Sequence, residues 1–189
     1  MKLIYNGIFN TGVSKLIQED LNLIERVAKS QSEAAAHTLP ADTYQDGIFT
    51  VLEKTHVLHR SWQLAAHLTQ LTRKGEYVAH QLADQPVIIV NTGEGIKAFH
   101  NVCRHRAGPL AHENGHSDTL MCKYHGWNYH LDGRLKSAPE MQTTPGFDVN
   151  QYQLPEVKLT IWQGLVFVAL NQDVPEFDLL VTGIEQQIK

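Results

Sequence analysis

The chain has 189 residues, enough for one ordinary hydrophobic core, or one domain with an extension. Hydrophobic residues at 42% and charged residues at 19% exclude a disordered chain. The formal net charge is -4, with Lys and Arg scattered, which gives no electrostatic ground for nucleic-acid binding; no apolar run reaches the length of a membrane span.

The first residues, Met1-Lys-Leu-Ile-Tyr-Asn-Gly-Ile-Phe9, carry one basic residue and a broken apolar stretch without a small-residue cleavage site. No secretory signal is expected, and a cytoplasmic location follows as the simple reading. From Ser14 to about Ala36, Leu16, Ile17, Leu21, Ile24, Val27 and Ala28 recur at helical spacing, with Ser14 suited to cap the helix. Such a helix buries one face, either on the chain's own core or as an arm against another subunit or domain. Thr38-Leu-Pro40 ends it. A second helix is predicted from about Asp46 to Arg60, with Ile48, Leu52 and Leu58 on one side and Glu53, Lys54 and Arg60 exposed. His56 and His59 lie one turn apart on it, but no carboxylate pattern accompanies them, so they read as surface or core-edge residues.

From Tyr77 the period becomes that of strands. Tyr77 to Leu82, Pro86 to Val90 and Ile96 to Val102 form a meander that delivers Cys103 to a strand end. Leu120 to Cys122 leads into a second loop. Trp127 to Leu131 and Arg134 to Ser137 flank an Asp132-Gly133 turn, and Val157 to Trp162 pairs with Leu165 to Leu170 across Gln163-Gly164. Gln142 to Asn150 reads as a surface loop. The expected fold is mainly β (α+β): an antiparallel domain with two loop-borne sites, and helices only on its N-terminal side.

The two loops hold the chemistry. Cys103-Arg-His105 and Cys122-Lys-Tyr-His125 each offer one thiolate and one imidazole, and the only two cysteines of the chain fall inside them. A structural zinc ion takes four such ligands on one tetrahedral centre, whereas a Rieske [2Fe-2S] cluster puts two thiolates on one iron and two imidazoles on the other. Spacing favours the cluster, since zinc fingers pair like with like and here each motif mixes Cys with His. A disulfide would leave both histidines unexplained.

Through Cys103-Arg-His105-Arg106 and Cys122-x-Tyr124-His125-Gly126-Trp127, the sequence resembles the Rieske non-haem iron oxygenases, in the Cys-Arg-His-Arg form found in ring-hydroxylating dioxygenases and choline monooxygenase-like enzymes. The likeness extends upstream through Ile48-Phe-x(3)-Glu53 and Arg60-Ser-Trp62-Gln, and spans roughly Leu39 to Gln187. It implies that Cys103 and Cys122 bind one iron and that His105 and His125 bind the other. It further implies roles around the cluster for Arg106, Tyr124, Gly126 and Trp127, with Tyr124 and Trp127 as an aromatic shield, although core packing accounts for those two aromatics equally well and turn geometry accounts for Gly108 and Gly126 at least as well. Gly108-Pro109 and Gly126 suit tight loops whose backbone N–H groups approach sulfur. His112, His116 and His130 match no ligand pattern and read as exposed loop residues, and His100 as structural. Quinol-oxidising Rieske proteins add two more cysteines, which this chain lacks.

The resemblance implies a division into an N-terminal helical arm over 1–42, a Rieske domain over 43–172 and a crossover segment over 173–189 leading toward a catalytic domain. Only nineteen residues follow Leu170, and they contain no pattern of two His and one carboxylate for a mononuclear iron. The expected function is one-electron transfer as the Rieske part of an oxygenase α subunit. Electrons would come from a reductase or ferredoxin and pass to a catalytic domain or subunit, with a homo-oligomer among the expected assemblies and neither nucleic acid nor membrane as partner. A freestanding Rieske-type ferredoxin and a structural zinc module are the alternatives.

Overall fold

The computed structural model of the protein describes residues 41–185 apart from 46 and 142, together with 22, 25, 38 and 187. The helix expected over 14–36 lies outside the described residues apart from Asn22 and Glu25, which are helical. The chain divides into two compact units, Met1–His56 and Val57–Lys189. In the first, α1 (Asp42–Gln45) and α2 (Gly47–His56) are helical. The predicted second helix thus stops at His56, and Leu58–Arg60 is a separate 3-10 turn of the second unit.

The second unit is a seven-stranded sheet with a smaller three-stranded sheet. The large one comprises β1 (Gln63–His67), β2 (Glu76–Leu82), β3 (Gln85–Asn91), β4 (Ile96–His100), β5 (Gly115–His116), β9 (Glu156–Trp162) and β10 (Leu165–Ala169). Its order is β1-β10-β9-β4-β3-β2-β5, antiparallel throughout. The small sheet is β6 (Leu120–Met121), β7 (Asn128–Tyr129) and β8 (Leu135–Ser137). β4 and β9 are neighbours, so residues 101–155 leave the large sheet and return to the adjoining strand, with only β5 rejoining its far edge.

β3 explains why this excursion packs where it does. Its sequence, Gln-Pro-Val-Ile-Ile-Val-Asn, is apolar without alternation, as suits a strand buried on both faces. Ile88 and Val90 point into one core with Phe99, Cys103, Leu110, Cys122, Trp127 and Tyr129. Val87 and Ile89 point into another with Val78, Leu82, Ala98, Val157, Val166 and Val168. The tight β2–β3 and β9–β10 turns place Ala83 and Asp84, then Gln163 and Gly164, in the left-handed region, as two-residue hairpins of primed type require.

The structure corrects the expectation that helices occur only on the N-terminal side. Phe177–Glu185 forms α3. Phe177 packs against Trp62 and Phe167, at ring-centroid distances of 5.6 and 4.6 Å, and the Trp62 indole N–H donates to the Pro175 carbonyl. β1 was likewise not anticipated as a strand.

Candidate metal centre

Both predicted ligand loops close with the same backbone device. The Cys103 N–H donates to the Gly108 carbonyl (2.8 Å), and the Cys103 carbonyl accepts from the Ala107 N–H (3.0 Å). In the second loop the Cys122 N–H donates to the Trp127 carbonyl (2.8 Å), and the Cys122 carbonyl accepts from the Gly126 N–H (2.9 Å). Each loop turns through a left-handed residue at the fifth position, Ala107 (φ 56°) and Gly126 (φ 72°). The histidine comes one residue later in the second loop than in the first.

The loops interlock. The His105 ring reaches across to stack on Trp127, with centroids 4.9 Å apart and planes 8° from parallel, and meets the His125 ring at 4.7 Å. Gly108 lies so close to the second loop that a Cβ there would sit 3.1 Å from Cys122 Sγ and 3.4 Å from Tyr124 Cβ. A side chain at this position would crowd the second loop, which is reason enough for glycine here.

Cys103 and Cys122 are free and buried, His105 is half-buried, and His125 is exposed. Burial, and to a lesser degree the neighbouring Cys122, pushes the Cys103 thiol up, so Cys103 resists ionising without a compensating positive charge. Burial holds the His105 imidazole below its usual range, helped by His125 and Arg106, and so keeps it in the neutral form that ligates metal. Its Nδ1 is buried and has no hydrogen-bond partner. A buried ring nitrogen left unpaired beside two buried thiols suits a group that supplies positive charge and open coordination positions. Two thiols and two imidazoles, one of each per loop, are the donor set of a cluster that places thiolates on one iron and imidazoles on the other.

Of the remaining predicted residues, Tyr124 is exposed and packs its ring on His125 at 3.9 Å, and the Arg106 guanidinium sits 5.9 Å over the Tyr124 ring. Trp127 is buried beneath His105 and edged by Phe147 (5.8 Å) and Tyr152 (5.4 Å). The surface loop over 142–150 thus contributes Phe147 as an anchor. His112, His116 and His130 are exposed, but His116 sits in β5 and not in a loop, opposite Glu76 of β2 with its ring against the Lys74 carbonyl.

Two residues were missed by sequence reasoning. Asn101 is buried; its Oδ1 accepts from the Leu110 and Ala111 N–H groups at 2.9 and 3.1 Å, and its Nδ2 donates to the Ala111 carbonyl. It pins both ends of the first loop. Tyr129 is fully buried, accepts from the Arg104 N–H at 3.0 Å, and lies 3.3 Å from Cys103 Sγ. Burial and then Cys103 hold its phenol above the usual range, so it stays protonated and able to donate toward sulfur. Its spacing offered one signal, since it falls two residues after Trp127 in the stretch expected as a strand over Trp127 to Leu131.

Comparison with known proteins is consistent with this geometry. The family profile described as Rieske [2Fe-2S] domain matches residues 61–154. The glycine betaine monooxygenase oxygenase subunit of Chromohalobacter salexigens is 36% identical over 154 residues, 80% of this chain and 34% of that protein. The chloroplastic choline monooxygenase of Spinacia oleracea is 32% identical over 142 residues, 75% of this chain and 32% of that protein. Naphthalene 1,2-dioxygenase from Rhodococcus sp. shares the fold with a TM-score of 0.80 at 22% identity, over 90% of this chain and 39% of that one. The chain spans about a third of the length of the curated relatives it matches first.

Proposed function

This chain carries a Rieske [2Fe-2S] domain and corresponds to the Rieske portion of oxygenase α subunits, and from that premise we propose that it passes single electrons to an oxygenase catalytic centre. Its cofactor is a Rieske-type [2Fe-2S] cluster, which accepts and releases one electron when bound. Cys103 and Cys122 would hold it on the buried side, and His105 and His125 at the rim. The observation that carries this assignment is the orphaned Nδ1 of His105 beside two free, buried thiols.

The chain's own residues do the rest. With Cys103 as a thiolate, the Tyr129 O–H is the group able to donate between the two, which favours added negative charge on sulfur. Trp127, clamped by Phe147 and Tyr152, excludes water from the inner side. Exposed His125 leaves one imidazole open to a partner, so electrons can enter or leave without the loops opening.

In the finer reading, a reductase or ferredoxin supplies NAD(P)H-derived electrons, and a mononuclear non-haem iron in a catalytic domain or subunit receives them. Residues 173–189, including α3, then form the crossover toward that domain. The relatives' names, monooxygenases of glycine betaine and choline among them, make quaternary ammonium compounds the first substrates to try with such a partner.

Anaerobic reconstitution followed by iron and sulfide analysis and electron paramagnetic resonance tests the proposal. Two irons and two sulfides per chain, with a rhombic signal of low mean g after dithionite reduction, are expected. A colourless protein binding one zinc would overturn it.

A further inference from the structure

Between the two ligand loops the chain reads His112-Glu-Asn114-Gly115-His116, which contains the one Asn-Gly pair among the described residues. Asn114 is exposed, and its Oδ1 accepts from the Ala79 N–H of β2 at 3.0 Å. Gly115 opens β5 and pairs with Tyr77. Packing imposes glycine there, because a Cβ would lie 2.6 Å from the Tyr77 hydroxyl oxygen. The fold therefore keeps, directly after an exposed asparagine, the residue whose backbone nitrogen is least shielded by a side chain. Beside this pairing, the Ser117 N–H donates to the Gly75 carbonyl (2.9 Å) and the His116 ring meets the Lys74 carbonyl (3.1 Å).

We propose that Asn114 is a deamidation site, and that its conversion to isoaspartate detaches the segment between the two ligand loops from the sheet edge. The chemistry needs no enzyme and no redox partner. The Gly115 backbone nitrogen attacks Asn114 Cγ and forms a new C–N bond, the bond from Cγ to the side-chain nitrogen breaks, ammonia leaves, and a five-membered succinimide remains. Water then opens the ring, giving isoaspartate when it attacks the main-chain carbonyl and aspartate when it attacks the other. The net exchange is one water in and one ammonia out. β5 sets the pace, since attack needs Gly115 out of the ladder and Asn114 off Ala79. A two-residue strand at a sheet edge opens far more readily than the whole domain unfolds. Once isoaspartate forms, the main chain carries an additional methylene carbon before Gly115, and the carbonyl that accepted from Ala79 has become main chain. Facing residues of the antiparallel ladder then fall out of step, and β5 loses its register on Glu76 and Tyr77. β5 is the strand by which the 101–155 excursion rejoins the far edge of the large sheet, so the link between the ligand loops loses that anchor. The modification stands apart from the cluster-bearing reading above, and only its effect on the cluster rests on that reading.

The test incubates the full chain with its cluster bound in warm, mildly alkaline buffer, followed by peptide mapping in the mass spectrometer and labelling by a protein isoaspartate methyltransferase. Isoaspartate at position 114 should accumulate in excess over aspartate. Asn114→Gln should remove that signal and leave any that arises at Asn6-Gly7, the other Asn-Gly pair of the sequence. Urea below the unfolding transition should speed conversion at 114, because it favours the locally opened edge. The isoaspartate form, separated from the parent, should lose its visible absorbance severalfold faster, whereas Asn114→Asp, with the same charge on an ordinary backbone, should retain it as the parent does. No conversion at 114 over a period in which a synthetic peptide of residues 112–117 converts fully would overturn the site. Conversion that leaves cluster retention unchanged would overturn the detachment. A chain that forms isoaspartate at 114 but takes up no cluster would support the site and overturn the proposed function instead.

Discussion

The loop over 103–108 and the loop over 122–127 close with the same pair of backbone hydrogen bonds and the same left-handed turn, but they are fastened to the protein by different physics. The first is held by a polar side chain, Asn101, which satisfies three backbone groups at its far end, and by the Tyr129 hydroxyl. The second is held by aromatic packing, with Trp127 wedged among His105, Phe147 and Tyr152. One loop keeps its histidine half-buried and the other exposes it. Two loops of one backbone shape can therefore present one inner and one outer imidazole, and the difference comes from what surrounds them.

Removing ligands should erase the distinction altogether. Cys103→Ser, Cys122→Ser, His105→Ala and His125→Ala should each abolish the visible absorption and the rhombic resonance signal, and a normal spectrum from any one of them would withdraw that residue's assignment. Below that, the anchors should separate the loops by stability. Asn101→Leu strands two N–H groups and a carbonyl, and should cost about 3 kcal/mol in chemical denaturation. Phe147→Ala trims half-buried packing on the second loop and should cost about 1.5 kcal/mol.

Tyr129→Phe isolates the first loop's hold on sulfur. The hydrogen bond favours the reduced, more negative state, so its loss should lower the midpoint potential by about 60 mV, the one-electron equivalent of a tenfold bias. Redox titration reads this directly, and a potential that rose would contradict the donor role given to the phenol. A reciprocal pair then tests the shared turn. Gly126→Ala should destabilise by about 1 kcal/mol and Ala107→Gly should be neutral or stabilising by less than that, since only the former forces a side chain into the left-handed region.

The smallest effect lies outside both loops and serves as their reference. The Arg73 backbone N–H, and then its guanidinium, hold the Glu76 carboxyl at about 2, well below its ordinary 4.5. A depressed carboxylate stabilises the fold above its unfolded value and loses that contribution as pH falls from about 4.5 toward 2. Glu76→Gln should flatten acid unfolding across that window without moving the cluster spectrum.

Much of this was legible in the residues. The four candidate ligands declared themselves because metal chemistry restricts residue type and spacing, and β2, β3, β4, β9 and β10 because β-branched runs end at turn residues. β1 was not, since Gln-Leu-Ala-Ala-His lacks β-branched residues and carries a register irregularity between Leu64 and Ala66 that breaks the alternation. α3 was hidden by the likeness to a crossover, although Phe177 and Val181, the two residues it buries, are spaced four apart. Asn101 and Tyr129 act through contacts 9 to 26 positions away in sequence, which no local pattern records.

The placement of β3 between two cores has a consequence for what the loss of a ligand does to the rest of the domain. One core is closed by strands from both sides of the 101–155 excursion, β2, β3 and β4 before it and β9 and β10 after it, and it contains neither thiol. The other contains both thiols. The packing of the first core therefore does not depend on the thiols, so losing a ligand should cost the cluster while leaving that wall folded.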